Sequence, residues 1–244
     1  MKVCPVCSDL RPTTKEDIIP KWARKVYKDL GSWPGGVPSE LMLMCSPCNK
    51  RLGQRFENYA APLMSPMLRG EPVVLSAADQ GFIAGWLAKT TLLSWLRSNH
   101  PVDQLELIRA AVRSVIDRRV PPGASFVRIG LVDPADWAGP PHEHAWEPGP
   151  LPPVFLFSVS SLVSLTWELV IGDPDVIDPF IIATPDSDWN VRIWPPQIGG
   201  ISWPPPNRHS FADMADRRAA YEAMEHPPPK TWERHEGTDH PWTT

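Results

Sequence analysis

Between Ser76 and Pro122 the apolar positions recur at helical spacing. Phe82, Ile83, Trp86, Leu87, Leu93 and Leu96 form one stripe. Ser76 opens it with Asp79 three residues on, the spacing of an N-cap that exchanges hydrogen bonds with its own first turn. A second helix starts at Asp103, with Glu106 at its third position. Leu105, Ile108, Val112, Val115 and Ile116 supply its buried face until Pro121-Pro122-Gly123 ends it. Upstream, Lys21 to Leu30 reads as a short helix stopped by Gly31, and a Gly/Pro-rich loop to Pro38 leads into the strand-like run Leu41 to Met44. Leu52, Phe56, Tyr59, Ala60 and Leu63 then define a helix beginning after Cys48, with Lys50, Arg51 and Arg55 on its other faces.

Beyond residue 123 the period changes. Ser125 to Val132, Val154 to Ser160, Leu162 to Ile171, Phe180 to Thr184 and Asn190 to Trp194 are β-branched and aromatic segments separated by Pro, Gly and Asp, the pattern of an antiparallel sheet. Asp133 to Pro153 reads as an exposed, proline-rich linker. Ser210 with Asp213 caps a helix expected to reach about Glu225, and a polar tail follows Pro227. The expected class is α+β, in four stretches: a cysteine module at 1–70, helices at 71–122, a β-rich region with a C-terminal helix at 123–226, and a tail at 227–244.

Tryptophan and proline number 12 and 31, so their placement bears on the sheet. Ile193-Trp194-Pro195-Pro196 and Ser202-Trp203-Pro204-Pro205 suggest two extended edge segments with indoles packed on the sheet. The alternative is a polyproline ligand for a partner; packing is favoured because large aromatics are usually buried for hydrophobic reasons.

The 244 residues suffice for a sizeable core. No apolar run approaches the ~18 uncharged residues of a membrane helix, and Met1-Lys2-Val3-Cys4 has no signal-peptide core, so a soluble, cytoplasmic protein without membrane contact is expected. The net charge of −4 conceals an asymmetry: residues 1–70 carry 11 Lys and Arg against 6 Asp and Glu, leaving 13 against 22 for the rest. A basic module on an acidic chain is suited to a phosphate backbone, although ordinary solvated surfaces show similar balances.

All four cysteines lie in that module, as Cys4-Pro-Val-Cys7 and Cys45-Ser-Pro-Cys48. Each C-x-x-C is a chelating turn, and two of them supply the four thiolates of a closed tetrahedral zinc site. Two disulfides are the alternative, but paired C-x-x-C turns in a long chain without a secretory signal favour metal in a reducing compartment. Redox catalysis fits poorly, since neither pair sits in a thioredoxin-like βαβ pattern.

Between and after the pairs stand Thr14-Lys15-Glu16-Asp17-Ile18-Ile19-Pro20 and Asn49. With the cysteines, this combination resembles the HNH, or ββα-metal, endonucleases, in the subgroup whose four cysteines carry a structural zinc. The resemblance covers residues 1–70 and implies a zinc-bound, treble-clef-like ββα module. In that family one divalent ion, Mg²⁺ or Mn²⁺, stabilises charge on the scissile phosphate while a histidine takes a proton from the attacking water. By resemblance Glu16 matches the acidic metal ligand, Asp17 occupies the general-base histidine position and Asn49 matches the final metal ligand. Glu40 falls where many members have a middle asparagine.

Asp17 is the main departure. A carboxylate with an ordinary pKa near ~3.9 is a weaker base than an imidazole near ~6.5. No histidine precedes His100. His142 and His144 read as exposed linker residues, and His209, His226, His235 and His240 fall near the C-terminal helix or tail. Three functions are therefore weighed. The first is a metal-dependent endonuclease hydrolysing DNA phosphodiesters through Glu16, Asp17 and Asn49, with activity weakened by the departure. The second is a catalytically silent module binding nucleic acid, DNA in preference to RNA, through Lys21, Arg24, Lys50, Arg51 and Arg55. The third is a zinc-stabilised module for a protein partner. The retention of Glu16 and Asn49 places the first ahead of the second.

Overall fold

A computed structural model describes residues 3–9, 11–30, 41–97, 102–132, 156–172 and 190–208, with Ser210 and Asp213. It is an α+β structure whose strands pair antiparallel throughout. Strands β1 (Thr14–Asp17) and β2 (Leu41–Met44) form a hairpin in which Thr14 faces Met44 and Glu16 faces Met42. Helix α1 (Lys21–Asp29) lies between them in sequence and buries Ala23, Val26 and Tyr27. Pro20 precedes it with extended backbone, consistent with proline at a helix entrance, where no amide donor is needed.

The single helix expected after Cys48 is three pieces. Helix α2 (Ser46–Leu52) passes into a π-helical turn at Gly53–Glu57 and then into α3 (Asn58–Leu68). Leu52, Phe56 and Ala60 are buried as expected, but across the wider turn the buried face continues through Met64, and Tyr59, expected inside, is 56% exposed. Pro62 and Pro66 sit inside α3, which runs one turn beyond the last apolar position read from the sequence.

Helix α4 (Ala77–Trp95) is the centre of the molecule. Ser76 and Asp79 form the expected capping box, Asp79 N donating to Ser76 Oγ and Ser76 N to Asp79 Oδ2. The expected one-sided stripe is instead burial on every face, with Gln80, Thr90 and Thr91 as enclosed as Leu87. Helix α5 (Val102–Arg118) packs on α4, and the chain leaving it passes so close that a methyl group at Gly85 would overlap the Arg119 backbone. Glycine is therefore required there by proximity.

Strands β4 (Ala124–Leu131), β5 (Leu156–Leu162), β6 (Leu165–Gly172) and β7 (Asn190–Trp194) form one sheet in the order β5-β6-β4-β7. The β5–β6 hairpin turns at Val163-Ser164, where the sequence reading broke the strands two residues earlier. Trp167 Nε1 donates to Thr91 Oγ1 at 3.0 Å, joining the sheet to α4. On this sheet Arg128 and Glu168 are cross-strand partners, paired at 3.3 Å and nearly closed to solvent. At the hairpin tip Val163, with φ of 57°, donates its N–H to the Tyr27 hydroxyl at 2.6 Å, tying the sheet to α1.

A smaller sheet pairs β3 (Val73–Leu75) with β8 (Ile201–Trp203). Trp203 is buried and donates to Met67 O at 3.2 Å, so its indole packs on the end of α3. Both Trp194-Pro195 and Trp203-Pro204 are cis. One continuous buried cluster runs from Cys4 to Trp203. Ser210 and Asp213 make the hydrogen bonds of a capping box. The expected strand Phe180–Thr184, the expected linker 133–153, the rest of the expected C-terminal helix and the expected tail lie outside the described residues, as do Glu40, His142, His144, His209, His226, His235 and His240. Among the described residues no helix is long and apolar enough to cross a membrane.

Candidate metal centre and the polar cluster beside it

The cysteines meet because the β1–β2 hairpin folds the second pair back onto the first. Cys45 N-caps α2 directly after β2, placing Cys48 in the first helical turn. The Sγ atoms of Cys4, Cys7, Cys45 and Cys48 all lie within 4.8 Å of one another, and none is in a disulfide. Cys7 Sγ and Cys45 Sγ are 3.8 Å apart. Four thiolates ~2.3 Å from one ion at tetrahedral angles stand ~3.8 Å from each other, so the set has the dimensions of a metal site. Cys45 N donates to Cys4 Sγ at 3.4 Å, and the start of α2 presents its positive dipole end to the sulfurs. Burial pushes the thiols of Cys45 and Cys48 up, with the neighbouring sulfurs adding to the rise at Cys48. Four closely spaced thiolates therefore call for a cation. The four cysteines could hold a structural metal ion, as their spacing indicated.

Asn49 follows Cys48 on α2 and donates from Nδ2 to Thr14 Oγ1 and to Lys15 O, both at 3.1 Å. It thereby fastens α2 to β1 beside Glu16. Asp17 Oδ2 is 3.0 Å from Arg24 Nη2, an ion pair between the end of β1 and the first turn of α1. Successive strand residues alternate faces, so Glu16 turns to the side of buried Met42 while Asp17 stands opposite exposed Leu41. Burial raises the Glu16 carboxyl to about 7; Lys89 pulls it down, and Glu57 and Asp17 push it up.

Lys89 and Glu57 are the polar residues that the sequence reading missed. The Lys89 side chain is fully buried, with Nζ 2.8 Å from Glu57 Oε1. Its ammonium lies 4.9 Å from the centre of the Trp86 ring and 6.0 Å from that of Phe56. Trp22 Nε1 donates to Glu57 Oε2 at 2.8 Å, so both carboxylate oxygens have a partner. The π-helical turn ends at Glu57 and delivers it to this position. The available signal was positional: Lys89 is the one charged residue between Asp79 and Arg97, and Glu57 the one acidic residue between Leu41 and Gly70.

The five expected nucleic-acid contacts divide. Lys21 and Lys50 are exposed. Arg24 is paired with Asp17, and Arg51 with Asp117 of α5. Arg55 donates to Ile116 O at 3.2 Å and Asp117 O at 2.7 Å, capping the C-terminal carbonyls of α5.

No family model, no curated protein and no solved structure matches this chain.

Proposed function

We propose that residues 1–70 form a zinc-stapled ββα module of the HNH type that binds nucleic acid, DNA in preference to RNA, and hydrolyses phosphodiesters far more slowly than a histidine-based relative. The observation that carries this reading is the ion pair between Asp17 and Arg24. At the position where the family has an imidazole, this chain has a carboxylate with one oxygen engaged by a guanidinium. Supporting the module are the order of its parts, cysteine turn, β1–β2 hairpin and second cysteine turn at the head of α2, and the sulfur spacing suited to zinc. Thiolate ligands of this kind belong in a reducing compartment such as the cytoplasm.

A second reading, a metal-dependent endonuclease acting through Glu16, Asp17 and Asn49, draws support from one contact. Asn49 is fastened to Thr14 and Lys15, so two oxygen ligands of the family stand on adjoining elements, where Mg²⁺ or Mn²⁺ would lower the pKa of a bound water.

The deciding experiment joins metal analysis, DNA binding and cleavage of plasmid and single-stranded DNA in Mg²⁺, Mn²⁺, Ni²⁺ and Zn²⁺. One zinc per chain, salt-sensitive binding and little cleavage are expected. Efficient cleavage by the wild type, abolished in Glu16→Ala, establishes the endonuclease reading instead.

A further inference from the structure

Helix α5 reaches the first cysteine turn with two arginines. Arg109 Nε donates to Pro5 O at 3.1 Å and Arg113 Nη1 to Val6 O at 2.9 Å. Pro5 and Val6 are the two residues between Cys4 and Cys7, so both inner carbonyls of the chelating turn are held from a helix more than a hundred residues away. Arg109 is itself steadied by Glu106, one turn earlier on α5. The other end of α5 is anchored to the module too, through Arg51 on Asp117 and Arg55 on the last carbonyls.

Two consequences follow from elementary chemistry. In a planar trans peptide the N–H points opposite to the C=O. Carbonyls held toward α5 at Pro5 and Val6 therefore fix the two peptide planes between Cys4 and Cys7, turning the amides of Val6 and Cys7 away from α5. Charge is the second consequence. Four thiolates around one divalent ion carry a net charge of about −2, and groups outside the ligand set that orient and neutralise such ligands typically change metal affinity by ~10- to 100-fold.

We infer that Arg109 and Arg113 are positioning residues of the metal centre, fixing the Cys4–Cys7 turn and offsetting its charge from α5. The inference rests on the zinc reading above. The cysteine module then holds its metal more tightly with α5 docked against it.

The test uses the full chain, comparing wild type with Arg113→Gln, the double variant Arg109→Gln/Arg113→Gln, and the double lysine replacement. Zinc transfer to a metallochromic chelator is followed, and alkylation of each cysteine by N-ethylmaleimide is mapped by mass spectrometry. The double glutamine variant is expected to release zinc at least 10-fold faster, Arg113→Gln to fall between it and wild type, and the lysine variant to recover part of the loss. Alkylation should quicken at Cys4 and Cys7 ahead of Cys45 and Cys48, a selectivity that general unfolding does not produce. A double glutamine variant that keeps its zinc at the wild-type rate overturns the proposal, as does equal quickening at all four cysteines. If the double variant does not fold, Arg113→Gln decides by the same selectivity. Wild type isolated without zinc overturns the zinc reading and this inference together.

Discussion

The ammonium of Lys89, on the helix at the centre of the molecule, stands 2.8 Å from Glu57 Oε1 at the end of the π-helical turn, and the lysine side chain has no solvent exposure. A buried cation is costly unless a charge faces it. Here the carboxylate comes from the cysteine module and the lysine from α4, so the pair stitches two parts of the sequence together.

Removing the cation therefore leaves Glu57 and Glu16 without the ammonium that offsets their charge. Lys89→Met, close in shape, is expected to lose ~3 kcal/mol of stability in urea denaturation, at the lower end for broken buried pairs because Glu57 is 18% exposed. Adding Glu57→Gln should recover part of that loss, since the orphaned charge disappears. A Lys89→Met midpoint equal to wild type contradicts the pairing.

Glu16 gives the fold a pH dependence whose sign follows from its raised pKa. The folded value is about 7 against an ordinary 4.5, so the folded state favours the protonated carboxyl. Its contribution to stability is fully present below about 4.5 and is lost as pH rises toward about 7, levelling off above. Glu16→Gln should flatten the melting temperature across that window and melt higher than wild type at pH 8. An unchanged slope in the variant means that another group sets it.

Metal removal should be the most disruptive treatment. Structural zinc commonly supplies ~10 kcal/mol of apparent binding energy at four thiolates, so Cys45→Ser or a strong chelator is expected to unfold the N-terminal module. Circular dichroism with elemental analysis checks this: one zinc per chain before treatment, none after, and a lost transition. A Cys45→Ser protein that melts like wild type counts against a structural role.

The five basic residues are expected to separate by experiment as they do in position. Lys21→Glu and Lys50→Glu, at exposed sites, should weaken DNA binding and lessen its salt dependence without altering melting. Arg55→Ala removes a cap from α5 and should lower stability first. Equal loss of binding without loss of stability at all three positions places the contact surface on the face of Arg55.

Local chemistry carried much of the fold into the sequence. The Ser76–Asp79 capping box, the extent of α5 and the strand Asn190–Trp194 follow from caps, apolar period and β-branched runs, each settled within a few residues. The cysteine cluster was legible for the same reason, since C-x-x-C spacing is itself geometry. What escaped depends on distant partners. A π-helical turn has no strong composition, yet it turns Tyr59 outward and Glu57 inward. The pairing of β3 with β8 joins Val74 to Ser202, and the arginines of α5 meet the Cys4–Cys7 turn across similar separations. In each case tertiary contact decides between conformations that the local sequence allows equally.

The departure at Asp17 permits a direct test of what separates binding from cleavage. An imidazole placed at this position has a pKa near neutrality and frees Arg24 from its carboxylate, so Asp17→His restores the residue type by which the family activates water. General-base catalysis contributes ~10²- to 10⁴-fold, and plasmid cleavage in Mg²⁺ or Mn²⁺ should rise by an amount far beyond assay noise. On the HNH reading, Glu16→Ala in the same background should abolish the gain, because a divalent ion bound there would lose its acidic ligand while the cysteine site stays intact. Arg24→Ala alone separates the two effects of the substitution: it removes the guanidinium beside Asp17 without supplying an imidazole and should leave cleavage low. If wild type cuts well and Asp17→His cuts worse, Asp17 is a working ligand or base and the binding reading fails. If neither cuts in any metal while both bind DNA, the geometry that Asn49 and β1 preserve serves binding alone.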